Sequence, residues 1–561
     1  MIEESRGETE AFLKGLDFVA QILKQEGVTW LACFPANQLI EAAARQSIRP
    51  IIFRTERAGL HAADGYSRLM DGKQFGVFCM QRGPGAENSF GGVAQAWGDA
   101  VPILVLADAD VTERFGVEPR FSATKNFQHI TKYAEAIIRP DRIAPTFRRA
   151  FHELRSGRPG PVLLELPRDV MAAEVPAHAS RYFSPKVARP TAARSDIKDA
   201  VKALLGAQRP VISAGQGVFY SDACAELKEF VELTGIPVMT TMPGKSAIDE
   251  RHPLSLGSAN RTAPLPVWEW LKQSDVLFAV GSSMTRTGYG IEVPDGKIII
   301  HNTLSPSDIN KDYNVDIGLP GDAKLVLRAA IEEVKAAKGD KPVDSSKTRA
   351  QIAEIRKKWL QEWTPKLSSG EVPINPYRVV RDLDATLNRE KSIVTHDAGH
   401  PRDQMMPFYT ATSPHSYIGW GKTTHLGYGI GLMIGAKLAM PDRFCMNFMG
   451  DAAFGQAGLD IETAVRAGTP ITTVVINNEG MGGYPQGMPT AFELYGASSL
   501  SGDYAKIAEG LGATGIKVEK PDGIIPAIKQ AQKLNADGKT CLIEVRTGME
   551  NRMSIYGKDD H

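Results

Sequence analysis

The chain has 561 residues, 43% hydrophobic and 23% charged, with 65 basic residues balanced by 65 acidic ones. It is too long for one core, so three domains are expected, and its zero formal charge offers no electrostatic attraction to nucleic acid or an anionic membrane. Five scattered cysteines, Cys33, Cys79, Cys224, Cys445 and Cys541, form no CxxC pair, which argues against a zinc site or disulfide framework and fits a reducing cytoplasm.

The N-terminus, Met1 to Glu8, is polar and acidic and lacks the apolar stretch of a signal peptide. An amphipathic helix is expected around Ala11 to Val19 and opens an α/β segment over residues 9–177. Within it, the run Ile51-Ile52-Phe53-Arg54-Thr55-Glu56 ends in a carboxylate. A helix of small residues, Arg57 to Arg68, follows. The stretch His178 to Arg194 reads as a linker. A middle segment, 195–335, carries two strand-to-glycine patterns, Arg209 to Gly215 and Asp275 to Gly281. The Lys-rich stretch Ala337 to Pro342 marks a second boundary. The last segment, 376–545, contains the strand Ser392-Ile393-Val394, which opens into a glycine loop ending at His400-Pro401. Further on, Leu426 to Met440 is apolar but contains Lys437 and is too short to span a bilayer. A helix is expected from Gln456 to Gly468 and a buried parallel strand from Ile471 to Ile476. The chain then closes on a charged tail, Gly557 to His561. Short apolar strands alternating with helices predict three doubly wound parallel-sheet α/β domains.

One constellation carries chemistry. A strand ends in Gly450-Asp451, and a second, a helix later, ends in Asn477-Asn478, followed by Glu479-Gly480. Asp451 offers a carboxylate, Asn478 a side-chain carbonyl and Gly480 a backbone carbonyl. Mg2+ takes about six oxygen ligands, some of them from phosphates. The backbone N–H groups of Ala452 and Ala453 open a helix and face an anion favourably.

This resembles the diphosphate-binding signature of thiamine diphosphate (ThDP) enzymes, with Ala452 where a glycine is usual. The segments around Glu56, Gln81 to Asn88, Asp99 to Leu106 and Gly157 to Val170 are similar to the N-terminal domain of the acetohydroxyacid synthase and 2-oxoacid decarboxylase superfamily. The resemblance spans nearly the whole chain. It implies aminopyrimidine-binding, central and diphosphate-binding domains, with ThDP and Mg2+ as cofactors. Homodimers or homotetramers are implied, because the two halves of such a site usually meet across subunits.

The resemblance also assigns roles. Glu56 shares a proton with the aminopyrimidine ring. His400, where a glutamine is common, donates to a phosphate oxygen. The backbone carbonyl of Thr424 meets the exocyclic amine, and Leu426 wedges between the two rings. The glycines from Gly421 to Gly431 do not form a dinucleotide fingerprint, since Leu432 follows where a sixth-position glycine is needed. Asn37, Gln38 and Gln128 are the substrate-facing candidates. No histidine stands in Phe34-Pro35-Ala36-Asn37-Gln38, and Ala123 occupies a position where many relatives carry glutamine. FAD in the central domain is not favoured, because Thr303 and Ser305 stand where acidic residues are frequent. A CoA nucleotide or no ligand fits there equally well. The expected activity is an acetolactate-synthase-like lyase or carboligase acting on a 2-oxo acid. A 2-hydroxyacyl-CoA lyase or oxalyl-CoA decarboxylase type is the alternative, and a non-catalytic nucleotide-binding protein is the alternative of another class.

Overall fold

The computed structural model describes residues 13–35 and 37–556. Ala36, residues 9–12 of the first expected segment and the closing residues 557–561 lie outside it. Three six-, six- and five-stranded sheets organise the chain, and every named strand pairing is parallel.

The first sheet comprises β1 (Trp30–Cys33), β2 (Arg49–Ile52), β3 (Gly76–Met80), β4 (Ile103–Ala109), β5 (Tyr133–Ala136) and β6 (Val162–Pro167), in the order β2-β1-β3-β4-β6-β5. The second comprises β7 (Pro210–Ala214), β8 (Val238–Thr241), β9 (Ser255–Ala259), β10 (Val276–Val280), β11 (Ile298–Thr303) and β12 (Ile317–Pro320), in the order β12-β11-β10-β7-β8-β9. The third comprises β13 (Ser392–His396), β14 (Phe444–Gly450), β15 (Thr472–Asn477), β16 (Thr514–Val518) and β17 (Cys541–Arg546), in the order β13-β14-β15-β17-β16. Strands such as β4 and β15 are buried at every residue, as helices on both faces require.

The N-terminal amphipathic helix runs Gly15–Gln25, beginning after the expected start, and buries Phe18, Val19, Ile22 and Leu23. The helix α1 (Glu56–Leu69) starts at the carboxylate itself, with the Thr55 side chain capping the Ala58 N–H. The helix α2 (Pro84–Gly98) follows β3. Past the second boundary, α3 (Ser346–Leu367) is an element the sequence pattern did not reveal. It buries only Ile352, Trp359 and Trp363, a stripe too sparse to read as amphipathic, and Trp359 stacks on Phe408 with centroids 4.8 Å apart.

The third domain contributes α4 (His400–Phe408), α5 (Tyr428–Ala439) and α6 (Asp451–Ala457). The single helix expected over Gln456 to Gly468 is instead two: α6, then a separate turn of helix Asp460–Arg466. At the start of the second, Asp460 Oδ1 accepts from the Arg54 N–H at 2.9 Å and the Thr463 hydroxyl at 2.8 Å, tying this helix to the approach of α1.

The first and third domains are packed without a gap. A Cβ on Gly435 of α5 would lie 1.9 Å from Ala62 O of α1, so only glycine permits this approach. One apolar core therefore runs through both domains, including Phe78, Leu432 and Ile476, while the central sheet keeps its own around Ile212 and Phe278. Among the described residues no helix is long and apolar enough to cross a membrane.

Candidate active site

In an open parallel sheet, ligands bind beyond the carboxyl ends of the strands. At those ends in the third sheet, β13 leads through Asp397 to α4, and β14 through Asp451 into α6. Asp451 is 3% exposed; its Oδ1 accepts from the Ala452 N–H at 2.8 Å and its Oδ2 from the Gly480 N–H at 3.2 Å. Burial pushes its carboxyl above the usual range, and the amides of Ala452 and Gly480 oppose that. Asn478, at the end of β15, accepts from the same Gly480 N–H at 3.1 Å. The left-handed backbone of Glu479 (φ 56°) folds this turn back towards Asp451. Asp451, Asn478 and Gly480 are thus brought together by two adjacent strand ends.

His400 opens α4 and leans on the same turn: a Cβ on Gly482 would lie 2.4 Å from its Nδ1. That nitrogen is buried without a partner, and burial lowers the imidazole's pKa, which favours the neutral ring. A buried ring nitrogen with nothing to bond is a site awaiting a polar group. Gly450 and Ala452 are half-buried beside it, and Ala453 is buried in α6.

The segment carrying Thr424 and Leu426 is held from below by a residue that the sequence reading did not single out. Asp397 is fully buried and accepts from the N–H groups of Ala398 at 2.7 Å, Gly427 at 3.0 Å and Gly429 at 2.9 Å. Burial pushes its carboxyl up to about 6 against these three donors. Its signal in the sequence is a carboxylate directly after β13 and before Ala-Gly. Gly427 is left-handed (φ 83°), and a Cβ there would strike Ala457 of α6 at 2.8 Å. That close approach leaves Leu426 projecting, 37% exposed, with Thr424 half-buried beside it.

A second buried network ties this segment to the first domain. Arg68 of α1 donates to Asp64 at 2.6 Å, to Asp99 at 3.0 Å and to Gly419 O at 2.7 Å, and Tyr428 donates to Asp64 at 3.2 Å. Asp99 also accepts from the N–H groups of Gly421 and Lys422.

Glu56 is 6% exposed at the start of α1, and a Cβ on Gly85 of α2 would meet its Oε1 at an ordinary contact distance of 3.5 Å. Neighbouring Arg54 and Arg57 reach across to Asp460 and Gln456 of the third domain. No described hydrogen bond or ion pair joins Glu56 to Asp451, Asn478 or Gly480 within the chain.

The substrate candidates do not converge. Asn37 donates to Met80 O at 2.9 Å and Leu106 O at 3.2 Å, and its Oδ1 accepts from the Leu39 N–H at 3.0 Å. Its amide is spent on backbone, tying the β1 loop to β3 and β4. Gln38 is exposed, and Gln128 is exposed with its amide 3.1 Å from His129.

The residues present suit a diphosphate and its cation. Among the described residues no three His, Cys, Asp or Glu are arranged to hold a metal. A cation at Asp451 would therefore draw on one carboxylate, neutral oxygens and the ligand's own phosphates, the set Mg2+ accepts.

Comparison with known proteins defines the class. Residues 13–134 match the model "Thiamine pyrophosphate enzyme, N-terminal TPP binding domain". Residues 197–330 match that family's central domain, and 397–545 its C-terminal TPP binding domain. This is a thiamine diphosphate-dependent enzyme. The chain is 31% identical over 550 residues to a probable acetolactate synthase large subunit of Methanococcus aeolicus, covering 94% of this chain and 90% of the relative. It is 30% identical to the glyoxylate carboligase of Escherichia coli O157:H7, covering 94% and 91%. It is 25% identical to the acetolactate synthase isozyme 3 large subunit of Escherichia coli K12, covering 95% and 94%. The chain belongs to the acetolactate synthase family of ThDP-dependent carboligases.

Proposed function

We propose that the chain is a Mg2+-assisted, ThDP-dependent lyase or carboligase whose donor is a small 2-oxo acid. The observation that carries the reading is the convergence of Asp451, Asn478, Gly480 and the partnerless Nδ1 of His400 at the ends of β13, β14 and β15. Asp451, Asn478 and the Gly480 carbonyl hold the cation. His400 and the N–H groups after Gly450, at Ala452 and Ala453, face the diphosphate. The Thr424 carbonyl and the projecting Leu426 side chain would contact the ring end of the cofactor. When bound, thiamine diphosphate supplies a carbon nucleophile and accepts the electron pair released with CO2. Glu56 holds a proton at the aminopyrimidine nitrogen. Its burial keeps water away from that proton.

The same reading gives domain limits near 9–177, 195–335 and 376–545, and a homodimer or homotetramer in the cytoplasm. FAD is not required by it. The name of the glyoxylate carboligase relative suggests glyoxylate as a donor, and pyruvate is a second small 2-oxo acid to test. Proton NMR of the purified protein with ThDP, Mg2+ and each acid tests this. Loss of the acid with a new carbon–carbon-bonded product or aldehyde is expected. Both acids returned unchanged, with ThDP shown to be bound, would contradict the donor class.

A further inference from the structure

Two imidazoles meet where the first and third domains touch, and no step proposed above uses them. His61, in α1, is 1% exposed, and neither its Nδ1 nor its Nε2 has a hydrogen-bond partner among the described residues. Its ring lies edge to face with His425, centroids 5.8 Å apart, and with Tyr428 of α5, centroids 5.1 Å apart. His425 Nδ1 is likewise buried without a partner. Glycines admit both side chains: a Cβ on Gly91 of α2 would lie 2.8 Å from His425 Cε1, and a Cβ on Gly431 of α5 would lie 2.8 Å from His61 Cβ. The His425 ring is therefore wedged between α1 and α2, while its backbone stands between Thr424 and Leu426. Unlike His400 at the strand ends, His61 is enclosed by packed helices.

This arrangement suits neutral rings. An imidazolium carries two N–H donors and needs acceptors for both. The charged groups around the pair do not bond to it. Arg57 and Arg68 of α1 are cations. Asp64 of α1 already accepts from Arg68 at 2.6 Å and from Tyr428 at 3.2 Å. Asp397, below the segment, accepts from the N–H groups of Ala398, Gly427 and Gly429. From α2 the pair meets Gly91. Burial holds both imidazoles below the ordinary value of 6.5, and in His61 the facing ring, Arg57 and Arg68 add to the effect.

We propose, on the reading of Thr424 and Leu426 as the ring end of the cofactor site, that His61 and His425 are positioning residues of that end: as a neutral pair they clamp the segment onto α1, and proton uptake by either ring releases it. The closed segment keeps both rings free of the extra proton. The open segment lets them titrate at their ordinary value. Closure is therefore at full strength above pH 6.5 and weakens as pH falls below it.

The test is hydrogen exchange of the holoenzyme, read by mass spectrometry on the peptide spanning 421–429, with each rate corrected for the intrinsic effect of pH. Between about pH 7.5 and about pH 5.5, protection of this peptide in wild type should fall by about tenfold more than in His61→Gln or in His425→Gln. Each ring that is neutral when closed and ordinary when open contributes about that factor. Asp397 titrates in the opposite sense in all three proteins and cancels from the comparison. A ring that only fills space would shift protection at both pH values alike. If His61→Gln does not fold, His425→Gln decides, because that ring is half-buried. Exchange with and without ThDP separates the two readings. Exchange in this peptide that ThDP fails to slow would remove the ring-end assignment. A pH dependence equal in wild type and variants would overturn the proposal with that assignment standing.

Discussion

The first and third sheets share one architecture, yet the polar groups at their strand ends are used differently. At the first sheet Asn37, Asp108 and Glu165 are satisfied internally. Asn37 spends its amide on Met80 O and Leu106 O, Asp108 is held by Arg82 at 3.0 Å and Arg168 at 2.8 Å, and Glu165 accepts from the N–H groups of Ala123 and Thr124. At the third sheet His400 Nδ1 is left without a partner, next to the turn that joins Asp451 to Asn478. The lesson is that a buried polar residue marks a ligand only when its bonding capacity is unspent. Asp397, equally buried in the third sheet, spends three of its acceptor sites on the backbone amides of Ala398, Gly427 and Gly429.

The contrast can be broken or sharpened by substitution. The largest effect is expected at Glu56. Glu56→Gln should cut turnover by about 100-fold or more, the range of a lost general acid–base group, with ThDP still bound. Normal turnover, followed by NMR, would remove Glu56 from the mechanism.

Asp397→Asn comes next. It keeps the shape but turns an acceptor into a donor facing backbone N–H groups, which should destabilise the fold by about 1–3 kcal/mol in denaturant titrations. It also carries a pH signature. Burial raises the folded-state carboxyl to about 6 from 3.8, so between those values the native state binds more protons than the unfolded chain. Asp397 therefore contributes stability that is fully present at low pH and is lost as pH rises towards 6. Its slope should be at most about 1.4 kcal/mol per pH unit. The wild type should show that slope, shared with Asp460, which is raised similarly, and the variant should show less of it. An unchanged slope would mean that Asp397 is charged throughout.

Asn37→Ala should destabilise the protein by about 1–3 kcal/mol by orphaning two carbonyls and one N–H, while KM for the 2-oxo acid stays within about twofold. A large rise in KM would restore Asn37 as a substrate contact. The smallest effects are expected at Gln38→Ala and Gln128→Ala. Both side chains are exposed, so stability should move by no more than about 0.5 kcal/mol and KM should not change.

Much of this was legible in the sequence because strand ends and their loops are local. The Gly450-Asp451 and Asn478-Glu479-Gly480 segments each carry their own geometry, and three parallel α/β sheets follow from buried apolar runs alternating with helices. Side-chain allegiance was not legible. Asn37 looked available because its partners, Met80 and Leu106, come from strands distant in sequence. Asp397 looked like one loop residue among several because two of its three donors, Gly427 and Gly429, lie beyond α4. The helix Ser346–Leu367 escaped because its burial is confined to three residues.

The central claim is that the ends of β13, β14 and β15 hold the diphosphate and its cation. A calorimetric titration of ThDP, with and without Mg2+, into wild type and Asp451→Ala tests it directly. The wild type should bind in a Mg2+-dependent manner, and the variant should lose at least about tenfold in affinity, or ~1.4 kcal/mol, together with the Mg2+ dependence. Equal, Mg2+-dependent binding by both proteins would contradict the account.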